Sequence, residues 1–299
     1  MTPTQPPFPQ PQIRADLPQP PKRSTLEALL ASDDGEGLMI ESVQNKIDQW
    51  KLPYFIEDGR LKDALSQGEV YLRQFITLDP VTMQMKEDAR LMANTCYPVL
   101  VYGATGTGKE LIARSMIGDR KDQPIKAVNM AALPSELVES ELFGSVKGSY
   151  TGSTGDKEGL FRSAKKGVLF MDEIGEMPRH IQAKLLRVLQ DNVVRPVGST
   201  KDELIECKVV CATNRDLLEM VKSKLFLEDL YVRISTLELD IKPLRERLCD
   251  CVPIAQSFAR SKKFLDAYES KLATGQLDLS YNVRSIQRHI ARFDTLGKL

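Results

Sequence analysis

The spacing of hydrophobic and polar positions divides the 299-residue chain into regions of different character. Residues 1–23 show no hydrophobic period and hold eight of the 17 prolines. Such a segment buries too little apolar surface to offset the entropy lost on ordering, so we predict a disordered Pro/Gln-rich tail, with a proline-rich docking ligand as the alternative. Residues 24–78 begin with a helix-capping pattern at Ser24 and continue as amphipathic fragments interrupted by Gly59 and Gly68, which predicts a short irregular helical region.

From residue 79 onward, short apolar runs alternate with amphipathic stretches of helical period. This alternation predicts a parallel sheet covered by helices on both faces, because a strand that is apolar along its whole length needs cover on each side. The predicted strands cover 98–102, 127–130, 168–171, 208–212 and 237–241. The predicted helices cover 109–116 and 180–190, and residues 253–299 keep a helical pattern, which predicts a small helical appendage.

Composition and charge exclude several classes of protein. The 41 basic and 41 acidic residues give no net charge, which removes the simplest argument for nucleic-acid binding. No window approaches about 18 consecutive apolar residues and the N-terminus lacks a signal-peptide pattern, so we expect a cytoplasmic protein without a membrane segment. The five cysteines contain no Cys-x-x-Cys pair, which argues against zinc and predicts buried thiols.

A glycine-rich loop follows the first predicted strand and opens the first predicted helix. Its sequence matches the Walker A pattern GxxxxGK, in which backbone N–H groups close on phosphate oxygens and the helix N-terminus adds partial positive charge. Lys109 is then expected to reach the β- and γ-phosphates, and Glu110 stands where many such loops have the Ser or Thr that ligates magnesium. The predicted nucleotide-binding residues of this loop are Gly103, Ala104, Thr105, Gly106, Thr107, Gly108, Lys109, Glu110 and Leu111.

Two adjacent acids end the third predicted strand. Asp172 is suited to hold Mg²⁺, directly or through water, and Glu173 is suited to polarise the water that attacks the γ-phosphate. Paired acids after a strand also occur at ordinary helix N-termini, which is the alternative for this segment taken alone. Asn214, at the end of the next strand, is placed to contact the γ-phosphate. Together these residues predict ATP and Mg²⁺ as cofactors.

The order of these motifs resembles one family of proteins. GATGTGKE at 103–110 is similar to the GESGTGKE loop of bacterial sigma-54-dependent transcription activators, which are AAA+ ATPases. The likeness runs collinearly over about residues 80–290, and its further segments are 128–129, 141–144, 159–161, 169–174, 182–190, 212–217 and 243–247. The resemblance implies an α/β fold of the P-loop AAA+ type, a three-layer αβα sandwich with a parallel sheet over 79–252, followed by a small helical lid over 253–299.

The resemblance also implies a loop that binds a partner protein. In this family a GAFTGA loop engages sigma-54, and the matching stretch here keeps the aromatic residue, the threonine and both glycines. Both alanines of the motif are serines in this chain, so an ordinary Gly/Ser loop is the alternative. The matching residues are Gly148, Ser149, Tyr150, Thr151, Gly152 and Ser153.

Three further roles come from the resemblance. Asn129 matches the asparagine that restrains the catalytic glutamate, with a simple strand-end asparagine as the alternative. Arg233 matches the second arginine of the family's finger segment, whereas Leu227 replaces the first, and leucine cannot bring positive charge to a neighbouring subunit's phosphates. Arg284 matches the lid arginine that senses nucleotide, although the Pro-Gly pair of that motif is missing and a plain surface arginine is the alternative.

The resulting hypothesis is an ATP-hydrolysing ring, a hexameric homo-oligomer, that remodels the sigma-54 RNA polymerase holoenzyme to regulate transcription initiation. One alternative is a remodeller of another protein client. The other is a nucleotide-binding regulatory subunit whose hydrolysis is weakened by Leu227. No helix-turn-helix pattern follows the lid, so the sequence predicts no direct DNA-binding domain. Residues 1–78 are too short and irregular for a regulatory receiver domain.

Overall fold

The computed structural model of the chain describes residues 66–120, 122–149, 155–259 and 261–299. The tail predicted over 1–23 and the helix predicted from Ser24 lie outside the described residues. The described residues comprise the predicted sheet region, a helix ahead of it and the C-terminal helices.

The strands form a five-stranded parallel sheet and a short antiparallel pair. They are β1 (Val99–Gly103), β2 (Ile125–Asn129), β3 (Val168–Asp172), β4 (Val193–Val194), β5 (Glu203–Leu204), β6 (Lys208–Thr213) and β7 (Leu237–Ile241). The order in the sheet is β2-β3-β6-β1-β7, and β4 pairs with β5. Because parallel strands end at the same edge, the loops that follow β1, β2, β3 and β6 open at one edge of the sheet.

The helices cover the sheet and form a second group at the C-terminal end. They are α1 (Gln67–Gln74), α2 (Pro80–Ala93), α3 (Lys109–Ser115), α4 (Ser135–Phe143), α5 (Leu160–Ser163), α6 (Arg179–Asp191), α7 (Leu217–Lys222), α8 (Glu228–Ile234), α9 (Cys251–Phe258), α10 (Lys262–Ala273) and α11 (Val283–Leu296). In the described part of the chain, none of these helices combines the length and the apolar character needed to cross a membrane.

Both faces of the sheet are buried, and successive residues of a strand point to opposite layers. On β1, Leu100 packs in the layer that contains α6 and α8, whereas Val99 and Val101 pack in the layer that contains α2 and α3. A parallel strand covered on both faces has to be apolar at every position, which explains the continuous apolar runs in the sequence. The predicted three-layer αβα sandwich is confirmed, and the predicted strand ends differ from the observed ones by at most two residues.

A helix ahead of the predicted domain packs directly on α3. This helix, α1, contains Gly68, which the hydrophobic pattern had indicated as an interruption. The missing side chain lets two backbones approach, since Gly68 N–H donates to Gly118 O at 3.2 Å and a Cβ on Gly68 would lie 2.6 Å from Ser115 O. Leu72 and Phe75 are buried in the same layer as α3, so this segment belongs to the core of the sheet.

The C-terminal helices surround a core of their own. Phe264, Tyr268 and Ile286 are fully buried there, and the ring centroid of Phe264 lies 5.4 Å from the centroids of both Tyr268 and Phe293. The contact between Phe264 and Phe293 stabilises the packing of α10 on α11 beyond the burial of surface alone. The first of these helices begins at Cys251, slightly ahead of the boundary predicted from the sequence.

Candidate nucleotide-binding site

The loop between β1 and α3 has the backbone geometry of a phosphate-binding loop. Gly106 and Gly108 have φ values of 80° and 105°, in a region that residues with side chains rarely adopt. Space is also restricted, because a Cβ on Gly108 would lie 2.7 Å from the ring of Phe75. Glycine is therefore required at these two positions by both conformation and packing.

This loop presents backbone donors that have no acceptor in the part of the protein that the structure describes. Within the described residues, the N–H groups of Gly106, Gly108, Lys109 and Glu110 donate to no protein atom. The last two belong to the first turn of α3, where a helix provides no acceptor of its own. Several donors of this kind at a helix N-terminus fit a phosphate group.

The side chain of Lys109 is buried at the base of the loop. Its Nζ donates to Gly103 O at 2.8 Å and to Ala104 O at 3.4 Å. Burial lowers the pKa of this amine, while the nearby carboxylates of Glu173 and Asp172 act in the opposite direction. The amine is thus influenced both by the carbonyls of the loop and by the two acids.

The two acids at the end of β3 lie across from the loop. Asp172 Oδ1 accepts a hydrogen bond from Glu173 N at 3.0 Å. Glu173 has a φ of 51°, a left-handed conformation that is uncommon for a residue with a side chain and is concentrated at functional sites. Asn129 stands opposite Asp172 in the pairing of β2 with β3, and its Oδ1 accepts from Ala131 N at 2.9 Å. The three polar side chains therefore meet at one edge of the sheet.

A cavity of about 410 Å³ connects the loop, the acids and the C-terminal helices. Its polar lining includes the loop together with Asn129, Asp172 and Glu173. Apolar residues also line it, and some of them belong to α9 and α11. The remaining lining includes Phe75, Ile76, Ile254, Ser257, Phe258, Val283, Arg284 and Gln287. Phosphate-binding donors together with apolar, partly aromatic surface fit a nucleoside triphosphate.

Most of the site residues predicted from the sequence line this cavity. They are Thr105, Gly106, Thr107, Gly108, Lys109, Glu110, Leu111, Asn129, Asp172, Glu173 and Arg284. Gly103 and Ala104 contribute instead through the carbonyls that hold the lysine. Asn214 lies beside the loop, where its Nδ2 donates to Thr105 Oγ1 at 3.2 Å.

The predicted finger residue Arg233 is engaged within its own chain. Its guanidinium donates twice to Leu189 O, at 2.6 and 3.1 Å. That carbonyl lies in the last turn of α6, where carbonyl groups lack intrahelical partners and basic side chains commonly cap them. Leu227, at the position of the other finger, precedes α8 and donates its N–H to Gln182 Oε1 at 2.9 Å. In this single chain neither residue reaches the cavity.

The predicted partner loop is described only at its base. Gly148 has a φ of 79° and Ser149 ends the described stretch, whereas residues 150–153 lie outside the described residues. Ser145 pairs with Lys157 on the far side of the loop, and their backbone N–H and C=O groups bond at 3.0 and 2.8 Å. The two ends of the loop are therefore joined to each other.

Sequence reasoning missed a buried ion pair behind the phosphate loop. Arg247 and Asp250 are both fully buried, and their side chains bond at 2.8 Å. The arginine also donates to Thr107 O at 3.2 Å, while the aspartate accepts from Thr77 Oγ1 at 2.8 Å and from Leu78 N. The arginine fell within a segment that matched the family, but no local pattern identifies the aspartate as its partner.

Comparison with known proteins gives matches over this same region. The family model described as the Sigma-54 interaction domain matches residues 75–240. The transcriptional regulatory protein GlrR of Escherichia coli (strain K12) is 36% identical over 269 residues, which cover 87% of this chain and 60% of that protein. The anaerobic nitric oxide reductase transcription regulator NorR of Escherichia coli O81 (strain ED1a) is 37% identical over 266 residues, which cover 88% of this chain and 49% of that protein.

A solved structure resembles the fold. The crystal structure of NtrX from Brucella abortus in complex with ADP has a TM-score of 0.66 and 26% sequence identity, covering 81% of this chain and 54% of that one. NtrX has also been crystallised in complex with ATP. This chain spans between about half and three fifths of the length of these known proteins.

Proposed function

Because the chain belongs to the sigma-54 interaction domain family, we propose that it binds ATP with Mg²⁺ and hydrolyses the ATP, with release of the γ-phosphate, in the cavity beside β1 and β3. One observation carries the proposal: loop N–H groups that have no acceptor among the described residues lie in the same cavity as Asp172 and Glu173. The ADP and ATP complexes of the related NtrX support the choice of nucleotide.

In this proposal the loop binds the phosphates. The N–H groups of Gly106, Gly108 and Lys109 donate to phosphate oxygens, and the lysine ammonium transfers from the loop carbonyls to the β- and γ-phosphates. Glu110 does not take the place of the missing metal ligand, because its carboxylate is paired with Arg114 at 2.7 Å. The phosphates are thus held by backbone donors and one cationic side chain.

The acids provide the metal ligand and the base. Asp172 fits a magnesium ligand, because its carboxylate lines the cavity and bonds only to the neighbouring N–H through one oxygen within the described residues. A bound Mg²⁺ neutralises negative charge on the β- and γ-phosphates. Glu173 accepts a proton from the attacking water, and the hydroxide oxygen bonds to the γ-phosphorus as the bond to the β–γ bridging oxygen breaks.

Three polar residues around the cavity complete the proposed site. Asn129, paired with Asp172 on the adjacent strand, restrains Glu173 before hydrolysis. Asn214 contacts the γ-phosphate from its place beside the loop. Arg284 senses the bound nucleotide from α11, where it lines the cavity. These roles follow from position and from the family motifs.

The active assembly in this proposal is a homo-oligomeric ring of six subunits, with ATP bound between neighbours. Arg233 then completes the site of the adjacent subunit, which requires its guanidinium to release Leu189 O. Leu227 brings no second charge, so hydrolysis is slower than in a chain that carries both arginines.

The proposed client is the sigma-54 RNA polymerase holoenzyme, reached in the cytoplasm. GlrR and NorR carry the names of transcription regulators, and the segment 148–153 stands at the place of the sigma-54-binding motif. The joined ends of this loop provide a fixed base on which hydrolysis can act. We propose residues 79–252 as the ATPase domain, with α1 packed into its core from the N-terminal side, and residues 253–299 as the lid.

ATP turnover measured against protein concentration tests the proposed function. We expect phosphate release to rise more steeply than linearly with concentration, because a finger supplied by a neighbour makes activity depend on assembly. Glu173→Gln should lower turnover at least ~100-fold while ATP binding stays within about twofold, because the base acts in the chemical step.

The control for this experiment is Glu269→Gln, which makes the same change at an exposed position of α10. Its turnover should equal that of the unaltered protein. Equal turnover in the two variants, or an unaltered protein that binds no ATP, would contradict the proposed function.

A further inference from the structure

Three consecutive carbonyls of the phosphate loop bond to the segments behind it. Thr105 O accepts from Asn282 Nδ2 at 2.9 Å, and Gly106 O accepts from Val283 N at 3.1 Å. Thr107 O accepts from the buried guanidinium of Arg247 at 3.2 Å. Because these carbonyls are engaged on one side, the amide planes that carry the loop N–H groups have fixed orientations.

Asn282 is bonded at both ends of its side chain. Besides the bond from Nδ2 to the loop, its Oδ1 accepts from Leu244 N at 2.6 Å. The residue is 2% exposed, so water does not compete for either bond. One amide group therefore joins the loop after β1 to the segment after β7.

The backbone of Asn282 is held in a conformation that favours glycine. Its φ is 54° and its ψ is −127°, which lies outside the regions that residues with side chains usually occupy. A strained conformation persists only where surrounding contacts compensate for it. The two side-chain bonds contribute to that compensation, together with the backbone bond from Asn282 N–H to Leu279 O at 2.9 Å.

The segment around Asn282 passes directly behind the loop and leads to the cavity. A Cβ on Gly106 would lie 2.3 Å from Tyr281 O, which shows how close the two backbones are. Arg284, two residues after Asn282, lines the cavity at the start of α11. Any rotation of this segment therefore moves the loop and the arginine together.

We propose that Asn282 is a positioning residue of the ATP site: its amide holds the loop after β1 against the segment after β7 and so presents the loop N–H groups and Arg284 to the same nucleotide. This inference rests on the ATP site proposed above. It predicts an energetic coupling between the asparagine and the arginine that a purely structural residue would not show.

Two substitutions separate the parts of this role. Asn282→Gly removes both side-chain bonds but suits the backbone conformation, so the variant is expected to fold. Asn282→Asp keeps an acceptor for Leu244 N but loses the donor to the loop and adds a negative charge near the phosphates. Asn192→Gly is the matched control, because Asn192 is exposed, has the same φ of 54° and caps α6 away from the cavity.

Amide hydrogen exchange of the nucleotide-free protein gives the first readout. In Asn282→Gly, exchange at Leu244 N–H and Val283 N–H should accelerate at least about tenfold. Leu244 N–H loses its acceptor, and Val283 N–H loses the neighbouring side-chain bond that holds its segment against the loop. In Asn282→Asp only Val283 N–H should accelerate. Unchanged exchange at Val283 in the glycine variant would overturn the proposal, even in a protein that failed to bind ATP.

ATP affinity gives the second readout. Both Asn282 variants should raise the Kd for ATP about threefold to tenfold, the effect of one hydrogen bond, whereas the Asn192 control should not change it. Arg284→Ala should weaken binding less in the Asn282→Gly background than in the unaltered protein. Additive effects of the two substitutions, or a Kd that stays within twofold in both Asn282 variants, would overturn the positioning role while leaving the ATP site itself intact.

Discussion

At the scale of single residues, the buried amine of Lys208 holds the turn between α2 and β1 in place by donating hydrogen bonds to backbone carbonyls. It is 2% exposed, and its Nζ donates to the carbonyls of Met92, Thr95 and Tyr97, each at 3.0 Å. Met92 lies in the last turn of α2, whereas Thr95 and Tyr97 lie in the turn that leads from α2 to β1, the strand before the phosphate loop. Burial lowers the pKa of the Lys208 amine to about 8, and the nearby guanidinium of Arg120 acts in the same direction.

The lowered pKa of Lys208 predicts a specific dependence of stability on pH. Between the native pKa of about 8 and the ordinary value of 10.5, the unfolded chain binds more protons at this residue than the native chain. The free energy of unfolding should therefore rise with pH in this window, by ~1 kcal/mol per pH unit from this group. Below pH 8 both states are protonated and the contribution no longer changes.

Urea unfolding of the unaltered protein and of Lys208→Met measures this contribution, because other groups titrate alike in both proteins. Between pH 8 and pH 10, the free energy of unfolding of the unaltered protein should rise by about 2 kcal/mol relative to that of Lys208→Met. A difference that is independent of pH would show that the amine titrates at its ordinary value.

At the scale of elements, hydrophobic period was a reliable guide wherever burial was uniform along the element. The run before Asp172 is apolar on both faces because β3 lies inside the sheet, and its sequence showed this directly. Helical fragments were predicted over 24–78 with an interruption at Gly68, because a glycine inside a helix ordinarily weakens it, whereas α1 includes this residue. Glycine occurs at this position because the backbone of α1 contacts Ser115 and Gly118, about fifty residues away. No local sequence pattern contains that information.

Replacing Gly68 by alanine should destabilise the protein although alanine is the better helix former. The added Cβ would lie 2.6 Å from Ser115 O and 2.7 Å from Gly118 N, so α1 must move away from α3. Overpacking of this kind costs about 1–3 kcal/mol. We expect a lower midpoint in urea unfolding with an unchanged slope.

Gly155→Ala is the control for this substitution. Among the described residues, a Cβ on Gly155 meets no atom within 4 Å, and its φ lies outside the positive range that disfavours alanine. Its stability should change by less than about 0.5 kcal/mol. A Gly68→Ala protein as stable as this control would mean that α1 does not pack closely on α3 in solution.

At the scale of the whole molecule, motifs predicted the residues that line the proposed ATP cavity better than the residues that hold the phosphate loop in place. Lys109 and Asp172 lie in short patterns whose chemistry is readable from spacing alone. Asn282 and Arg247 bond to loop residues 177 and 140 positions away, so their partners depend on the complete fold. Arg233 was predicted from a motif, but only the structure shows its bonds to Leu189 O.

Leu227→Arg should raise ATP turnover at concentrations where the protein is assembled. In the proposed ring the new guanidinium supplies a second cation to the neighbouring subunit's phosphates, and we expect an increase of at least about tenfold in turnover with little change in ATP affinity. The side chain of Leu227 is only half-buried, so the longer residue can extend into solvent. Phosphate release at saturating ATP measures the effect.

Leu225→Arg makes the same change of charge close by, at a leucine that is 61% exposed. It should leave turnover unchanged. An equal rise in both variants would point to a general effect of positive charge on assembly, and no rise in either would show that Arg233 alone sets the rate or that the ring does not form.

The pair of Arg247 and Asp250 has a mechanical consequence. The path Thr77–Asp250–Arg247–Thr107 runs through two charged side chains and ends on the phosphate loop, and both of those side chains are fully buried. Breaking such a pair on one side leaves an uncompensated buried charge, at a cost of about 3–5 kcal/mol. A displacement of the backbone at Thr77 should therefore displace the phosphate loop as well, because the bonds between them are costly to break.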